Sequence, residues 1–156
     1  MLYHPLLASH SWIRWVVVLT GLIAVARGVA GWTGRRPWVA ADGRAGLWFT
    51  VSLDVQVLLG LLLYFAFSPL TAAAMDDFGG AMRNSVLRFW AVEHAFGGIA
   101  ALALAHVGRV RIRKTSDTMR RHRLAVIFFG LALVIVLVSI PWPGTPYARE
   151  LFRSFR

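Results

Sequence analysis

Four ionisable residues stand inside apolar stretches of this sequence, where such side chains are rare. His10 and Arg14 lie in the first stretch, and Glu93 and His94 lie in the third. An ionisable side chain at membrane depth is costly and is therefore a candidate for function. Imidazole is a good axial ligand for haem iron, and a guanidinium can bind a carboxylate through two hydrogen bonds. These residue types together indicate a cofactor site.

Helix geometry brings the four residues towards one another. His10 and Arg14 are four residues apart, so they share one face of a helix. We expect His10 at the outer mouth of the first helix and His94 about 12 Å below the outer interface on the third. The outer half of a helix bundle can therefore collect His10, Arg14, Glu93 and His94.

Small side chains recur at helical spacing beside both histidines. They are Ala91, Ala95, Gly98, Ala101 and Ala105 on the third helix, with Gly21, Ala24 and Gly28 on the first. Such stripes let helices pack closely, or they leave room for a flat cofactor beside an imidazole. Both interpretations stay open. In the cofactor interpretation haem b fits, with His94 as a ligand alone or with His10, and with Arg14 and Arg88 near the propionates.

Four apolar spans must position these residues. They cover approximately residues 12–30, 46–67, 86–107 and 124–140. Each is long enough to cross a hydrocarbon core of about 30 Å as a helix. The alternating pattern of a membrane β-barrel is absent. We therefore expect an all-α, integral membrane four-helix bundle that forms one domain over residues 1–156.

Composition and charge agree with a membrane protein. The 156 residues are 58% hydrophobic with a mean hydropathy of +0.62, which is too apolar for a soluble domain of this size. The absence of cysteine excludes disulfides and covalently attached c-type haem. The net charge of +10 is concentrated between alternate helix ends, which favours lipid head groups over nucleic acid as partner. This pattern predicts a multi-pass protein of the bacterial cytoplasmic membrane, with both termini outside.

Other polar residues have simpler interpretations. Arg27 and Asp54 are expected to form a buried ion pair between the first two helices. His106 and His122 border the most basic connection and are expected at the membrane interface. The tail from residue 147 to 156 alternates basic and aromatic residues, so it lies along the outer interface or docks on a partner.

Three short motifs occur in order along the chain. They are His10-Ser11-x-x-Arg14-Trp15, Arg88-Phe89-x-x-x-Glu93-His94 and Ser139-Ile140-Pro141-Trp142-Pro143. In these the chain resembles a group of small bacterial four-helix membrane proteins commonly labelled "cytochrome b". The resemblance implies a b-type haem and electron transfer, with His10 and His94 as ligands. The chain departs from the di-haem cytochrome b core, because only its third helix carries two histidines and those are about 120° apart around the helix.

Three functions follow as hypotheses. The first is a haem b electron-transfer subunit. The second is a non-catalytic accessory subunit of a larger respiratory or photosynthetic membrane complex. The third is a quinone-binding subunit, in which His94 or Glu93 would hydrogen-bond a carbonyl. With so little chain outside the membrane, we do not expect a complete enzyme.

Overall fold

Residues 2–154 are described by a computed structural model, and they form seven α-helices and no β-strand. Four helical stretches among them are long and apolar enough to cross a membrane. The first stretch is α1 (Tyr3–Thr33), and the second is α2 (Ala40–Leu62) with the π-helical turn that follows it (Leu63–Phe67). The third stretch joins α5 (Ser85–Arg88), a second π-helical turn (Phe89–Glu93) and α6 (His94–Lys114). The fourth is α7 (Thr118–Val138). The prediction of an all-helical chain with four such spans is confirmed.

The first helix begins nine residues before the expected start at Trp12. Pro5 lies in its first turn, where a missing N–H breaks no hydrogen bond of the helix. The 31 residues of α1 reach about 46 Å, which exceeds the hydrocarbon core. His10 therefore sits two turns inside the helix and not at its mouth.

The connection between the second and third spans is itself helical. It forms α3 (Pro69–Asp76) and α4 (Phe78–Arg83). Ser68 and Asp77 cap these helices by accepting hydrogen bonds from backbone N–H groups of the first turn. Buried alanines of α3, α4 and the second π turn pack together, so the connection folds against the end of the bundle.

The four long helices form a ring in which α1 and α6 are diagonal. α1 packs against α2 and α7, and α6 packs against the same two helices. Phe49 and Phe129 meet edge to face at the centre, with ring centroids 5.8 Å apart. Leu53 and Leu133 lie in the same core. Because α1 and α6 are diagonal and not neighbours, direct helix packing does not close the space between them.

The small residues of α1 serve close packing. A Cβ atom at Gly21 would lie 2.8 Å from a ring carbon of Phe49, and one at Gly28 would lie 3.1 Å from Val126. On α6 the two adjacent glycines differ. A Cβ at Gly97 would lie 2.3 Å from Ser139 Oγ, whereas one at Gly98 would meet only Val57, at 3.9 Å. Gly97 is therefore a packing residue, and Gly98 borders open space.

Arg27 does not pair with Asp54, so that prediction is wrong. Its partner is Asp42, at 2.9 Å, and Arg36 joins the same carboxylate at 2.7 Å. The hydrogen bond to Asp42 also raises the pKa of Arg36 above its ordinary value. α2 begins at Ala40, so Asp42 stands level with Arg27, whereas Asp54 is about 18 Å further along the helix. Asp54 instead accepts from Nε2 of His106 at 2.8 Å, and both side chains are half exposed on the outer surface of the bundle.

His122, which the sequence predicts at the membrane interface, lies inside the protein at this end of the bundle. Its side chain is fully buried, and its ring lies 4.9 Å from that of Trp38. Its Nε2 donates to the carbonyl of Arg36 at 3.2 Å. This contact ties α7 to the connection between α1 and α2. We call this end of the bundle, with the 34–39 and 115–117 connections, the basic end.

Candidate functional site

A cavity of about 150 Å³ lies on the α1–α6 diagonal, at the end opposite the basic end. Its walls are largely apolar, and a few polar groups converge on it, which is the usual character of a small-molecule site. His10, Arg14, Gln56, His94 and Gly98 are among the residues that line it. We call it the diagonal cavity.

His94 is held in one tautomer by the end of α7. Its Nδ1 lies 2.9 Å from the carbonyl oxygen of Ser139, so Nδ1 carries the proton and donates it. Ser139 is the C-cap of α7, where carbonyls lack helical partners, and Pro141 prevents the helix from continuing. The lone pair therefore remains on Nε2. An imidazole fixed through Nδ1–H to a carbonyl is the arrangement that orients histidine ligands towards a metal.

His10 is engaged by an amide of the facing helix. Gln56 Nε2 lies 3.1 Å from His10 Nε2, so the amide donates and the imidazole is neutral with its proton on Nδ1. Both His10 Nδ1 and Gln56 Oε1 are buried and have no protein partner. Buried polar atoms almost always have a hydrogen-bond partner. These two atoms, and Arg14 Nε with them, are the kind that a bound ligand or water would satisfy.

The two histidines face each other across the diagonal cavity. Their ring centroids are 6.0 Å apart, and the ring planes cross at 65°. A metal–imidazole bond is about 2 Å long, and the nitrogen lies roughly 1 Å from the ring centre, so two axial rings on one metal have centroids about 6 Å apart. The observed separation would allow both imidazoles to hold one metal, and it also lies in the usual range for two rings in edge-to-face contact.

Arg14 is buried at the mouth of the cavity and is held by the tail, residues 141–154. Its Nη2 donates to Ser11 Oγ and to the carbonyl of Leu151. The same carbonyl accepts from Ser11 Oγ and from the indole of Trp15, so three donors of α1 hold it. Arg149 and Arg153 of the tail also line the cavity. The described part of the tail packs against its own bundle.

Aromatic rings attach the tail to the opposite wall. Tyr147 stacks on Phe89, with centroids 3.6 Å apart, and the guanidinium of Arg149 lies over the ring of Trp90 at 4.5 Å. Trp90 in turn contacts His94, with centroids 5.2 Å apart. The tail thus bridges α1 and the second π turn above the cavity.

Glu93 and Arg88 do not line the diagonal cavity. They pair with each other at 2.7 Å, and both are about half exposed. Glu93 directly precedes His94, so it points about 100° away around the helix. The expectation that both residues belong to the site is corrected by this placement.

Two π-helical turns that the sequence did not predict both border the diagonal cavity, through Tyr64 and Trp90. Tyr64 of the first turn donates to the carbonyl of Ala91 in the second, at 2.8 Å. π turns disturb the regular hydrogen-bond ladder and are frequent at functional sites. The second turn ends at Glu93, directly before His94, so it affects the direction in which the His94 side chain projects from the start of α6. No residue pattern marks such a turn in advance.

The donor set is limited to the two imidazoles. Among residues 2–154 no group of three or more His, Cys, Asp or Glu side chains could hold a metal ion. Two facing imidazoles suit a metal whose other ligands come from a macrocycle. Comparison with protein-family models, with curated protein sequences and with solved structures finds no match to this chain. The cytochrome b resemblance therefore stays a prediction.

Proposed function

We propose that the chain is a multi-pass protein of the bacterial cytoplasmic membrane, with its basic end inside and both termini outside. The support is the positive-inside pattern of the basic connections. Because the chain has no cysteine, single cysteines report orientation without background. In intact cells, a cysteine at Ala73 in the helical connection should react with an impermeant maleimide, and one at Ser116 should not. The reverse pattern would overturn this orientation.

Within that membrane we propose a b-type haem subunit for electron transfer, in which His10 and His94 would hold the haem iron. The observation that carries it is the 6.0 Å separation of the two facing rings. His94 offers Nε2 because Ser139 holds Nδ1–H. Gly98 leaves space for a flat ring, and Arg14, Arg149 and Arg153 supply positive charge for propionates. When bound, the haem supplies one-electron redox chemistry.

The protein's own residues would orient the imidazoles, neutralise the charge of the propionates and exclude water. The Ser139 carbonyl and the Trp90 ring keep the His94 imidazole in place. The apolar walls keep the site dry, which tunes a redox potential. The cavity is smaller than the roughly 300 Å³ at which ligand pockets usually begin. Haem binding therefore requires the cavity to widen, and a bond from His10 Nε2 to the iron would require Gln56 to release that nitrogen.

That small volume favours a second candidate, a quinone-binding subunit. A cavity of about 150 Å³ suits a single substituted ring better than a porphyrin. The His10 Nδ1–H and the Gln56 amide are placed to donate to a quinone carbonyl, and His10 has no other partner for that proton. In this case His94 would hold its orientation without ligating a metal.

A third candidate, a non-catalytic accessory subunit, is favoured by the Asp54–His106 pair. A carboxylate and an imidazole on the outer surface of a membrane helix are costly against lipid. A neighbouring subunit of a respiratory or photosynthetic complex would cover them. This role is compatible with either cofactor.

The test is cofactor content per chain after mild purification. We expect about one b-type haem per chain in the pyridine haemochromogen assay and a loss of most of it in His94→Ala. His106→Ala removes a histidine outside the diagonal cavity and is the matched control, which should keep its haem. A wild-type protein without haem that carries extractable quinone would support the second candidate. A folded protein with neither would leave the accessory role.

A further inference from the structure

A second cavity, of about 280 Å³, lies at the basic end between α2, α6 and α7. Three arginines line it, Arg109 and Arg113 of α6 and Arg121 of α7. Its remaining wall includes Trp38, Gly43 and the apolar side chains of Ile112 and Phe129. It shares no residue with the diagonal cavity.

The cavity has no free internal anion for these arginines. Asp42 lines it, but both of its carboxylate oxygens are already engaged. Oδ1 accepts from Arg27 and Arg36, and Oδ2 accepts from Arg36 and from the backbone N–H of Val39.

The three arginines themselves have only neutral partners or none. Among residues 2–154 none of them forms an ion pair. Arg109 donates weakly to Thr50 Oγ1 at 3.4 Å, and Arg121 donates to the carbonyl of Thr115 at 2.6 Å. Uncompensated guanidiniums are the chemistry that binds a phosphate group, since their planar donors match two phosphate oxygens.

The position of the cavity indicates where the phosphate comes from. α2 and α6 are the least closely packed pair of neighbours in the ring, and the cavity lies between these two helices and α7. Trp38 at its edge is a residue type that prefers the head-group level. Basic pockets between membrane helices on the inner side are known to take anionic lipid head groups. A water molecule occupies about 30 Å³ of liquid, so 280 Å³ has room for a phosphate and part of its glycerol.

We propose that this cavity binds the phosphate of an anionic phospholipid, with Arg109, Arg113 and Arg121 as its ligands. The acyl chains then run along the α2–α6 seam. The site is independent of any cofactor in the diagonal cavity, and it rests only on the proposed placement of the basic end at the inner face of the membrane.

The test is thermal stabilisation of the purified full chain in a non-ionic detergent and a phosphate-free buffer. The probes are phosphatidylglycerol, phosphatidylcholine and inorganic phosphate. A ligand that binds only the folded state raises its apparent melting temperature. We expect phosphatidylglycerol to raise it and the other two to leave it unchanged. Replacing Arg109, Arg113 and Arg121 with glutamine should weaken phosphatidylglycerol binding on the order of 100-fold.

The matched control removes three charges elsewhere at the same end. Arg35, Arg44 and Arg120 are exposed and do not line the cavity, so replacing them with glutamine should leave the stabilisation intact. A charge-neutral variant, Gly43→Met, fills the cavity where a Cβ atom meets only Trp38, at 3.9 Å, and should abolish the stabilisation.

Four results would overturn the proposal. Equal loss of stabilisation in both triple variants would show a general charge effect. Equal stabilisation by phosphatidylcholine would remove the requirement for an anionic lipid. Stabilisation by inorganic phosphate alone would assign the site to a soluble anion. If the triple variant does not fold, unchanged stabilisation of Gly43→Met by phosphatidylglycerol would itself contradict the site.

Discussion

A Cβ atom at Gly31 would lie 2.1 Å from Cε1 of His122, so the missing side chain on α1 is what admits the buried imidazole of α7. The two residues act as one packing unit at the basic end. Gly31→Ala should therefore destabilise the protein by about 1–3 kcal/mol, the usual cost of overpacking a core. Unfolding of the purified protein in denaturant measures this.

The double variant separates the packing clash from other effects of Gly31→Ala. With His122→Ala in the background, the added methyl group has room. The cost of Gly31→Ala should then fall to near zero, which gives a coupling between the two sites of the kind seen for residues in contact. Additive costs would show that Gly31 matters for another reason.

The adjacent glycines of α6 predict opposite phenotypes. Gly97→Ala places a methyl group 2.3 Å from Ser139 Oγ and should lower the melting temperature. Gly98→Leu enters the diagonal cavity and should leave the melting temperature of the cofactor-free protein nearly unchanged while abolishing cofactor binding. Melting curves and cofactor content of the two variants decide this. Retained cofactor in Gly98→Leu would place the cofactor elsewhere.

Gln56 distinguishes the two cofactors. Its amide occupies His10 Nε2 at 3.1 Å. Gln56→Leu frees that nitrogen, so a haem site should keep or gain haem. A quinone site should lose quinone, because a donor to the carbonyl is gone. Haem and quinone content of the variant, measured on one preparation, gives the answer. Loss of haem in this variant would contradict the ligand role of His10.

Arg14 is expected to hold the tail over the mouth. Its guanidinium donates to the Leu151 carbonyl, and Arg14→Met removes this contact while keeping the apolar stem. Hydrogen exchange of the backbone around residues 149–153 should become faster in this variant. Arg88→Met removes an exposed arginine that pairs with Glu93 and serves as the control, with exchange as in the wild type. Unchanged protection in Arg14→Met would show that the tail is held without Arg14, by the Ser11 and Trp15 hydrogen bonds and the aromatic contacts.

Much of the fold could be predicted because a long apolar run is enough to identify a helix that can cross a membrane. The cluster of His10, Arg14 and His94 followed from helix periodicity and antiparallel order. The start of α1 was missed because the first span was placed from its apolar run, which begins near Trp12, whereas the helix itself begins at Tyr3 and accommodates Pro5 in its first turn. With α1 extended, His10 and His94 meet at one level, which the shorter helix did not allow.

The errors share one cause, because the sequence does not give the height of one helix relative to its neighbour. Hydropathy placed the start of the second span at residue 46, so Asp42 fell in a loop and Asp54 seemed the partner of Arg27. In the structure the hydrogen-bonded helix α2 begins at Ala40, so Asp42 is helical and lies level with Arg27. Glu93 was assigned to the site by its nearness to His94 in sequence, but one residue turns a helix by about 100°. Gln56 could not be predicted as the partner of His10, because that contact depends on how α2 packs against α1.

The measurement that tests the central claim most directly is imidazole rescue of the His94→Gly protein, followed by reduced-minus-oxidised and low-temperature electron paramagnetic resonance spectra. The wild type should show a b-type α-band and a low-spin ferric signal of two imidazole ligands. His94→Gly should lose both and regain them when free imidazole is added, because the vacated space can hold the ring. A wild-type protein without haem, or a variant whose low-spin spectrum is unchanged, would contradict a haem held between His10 and His94.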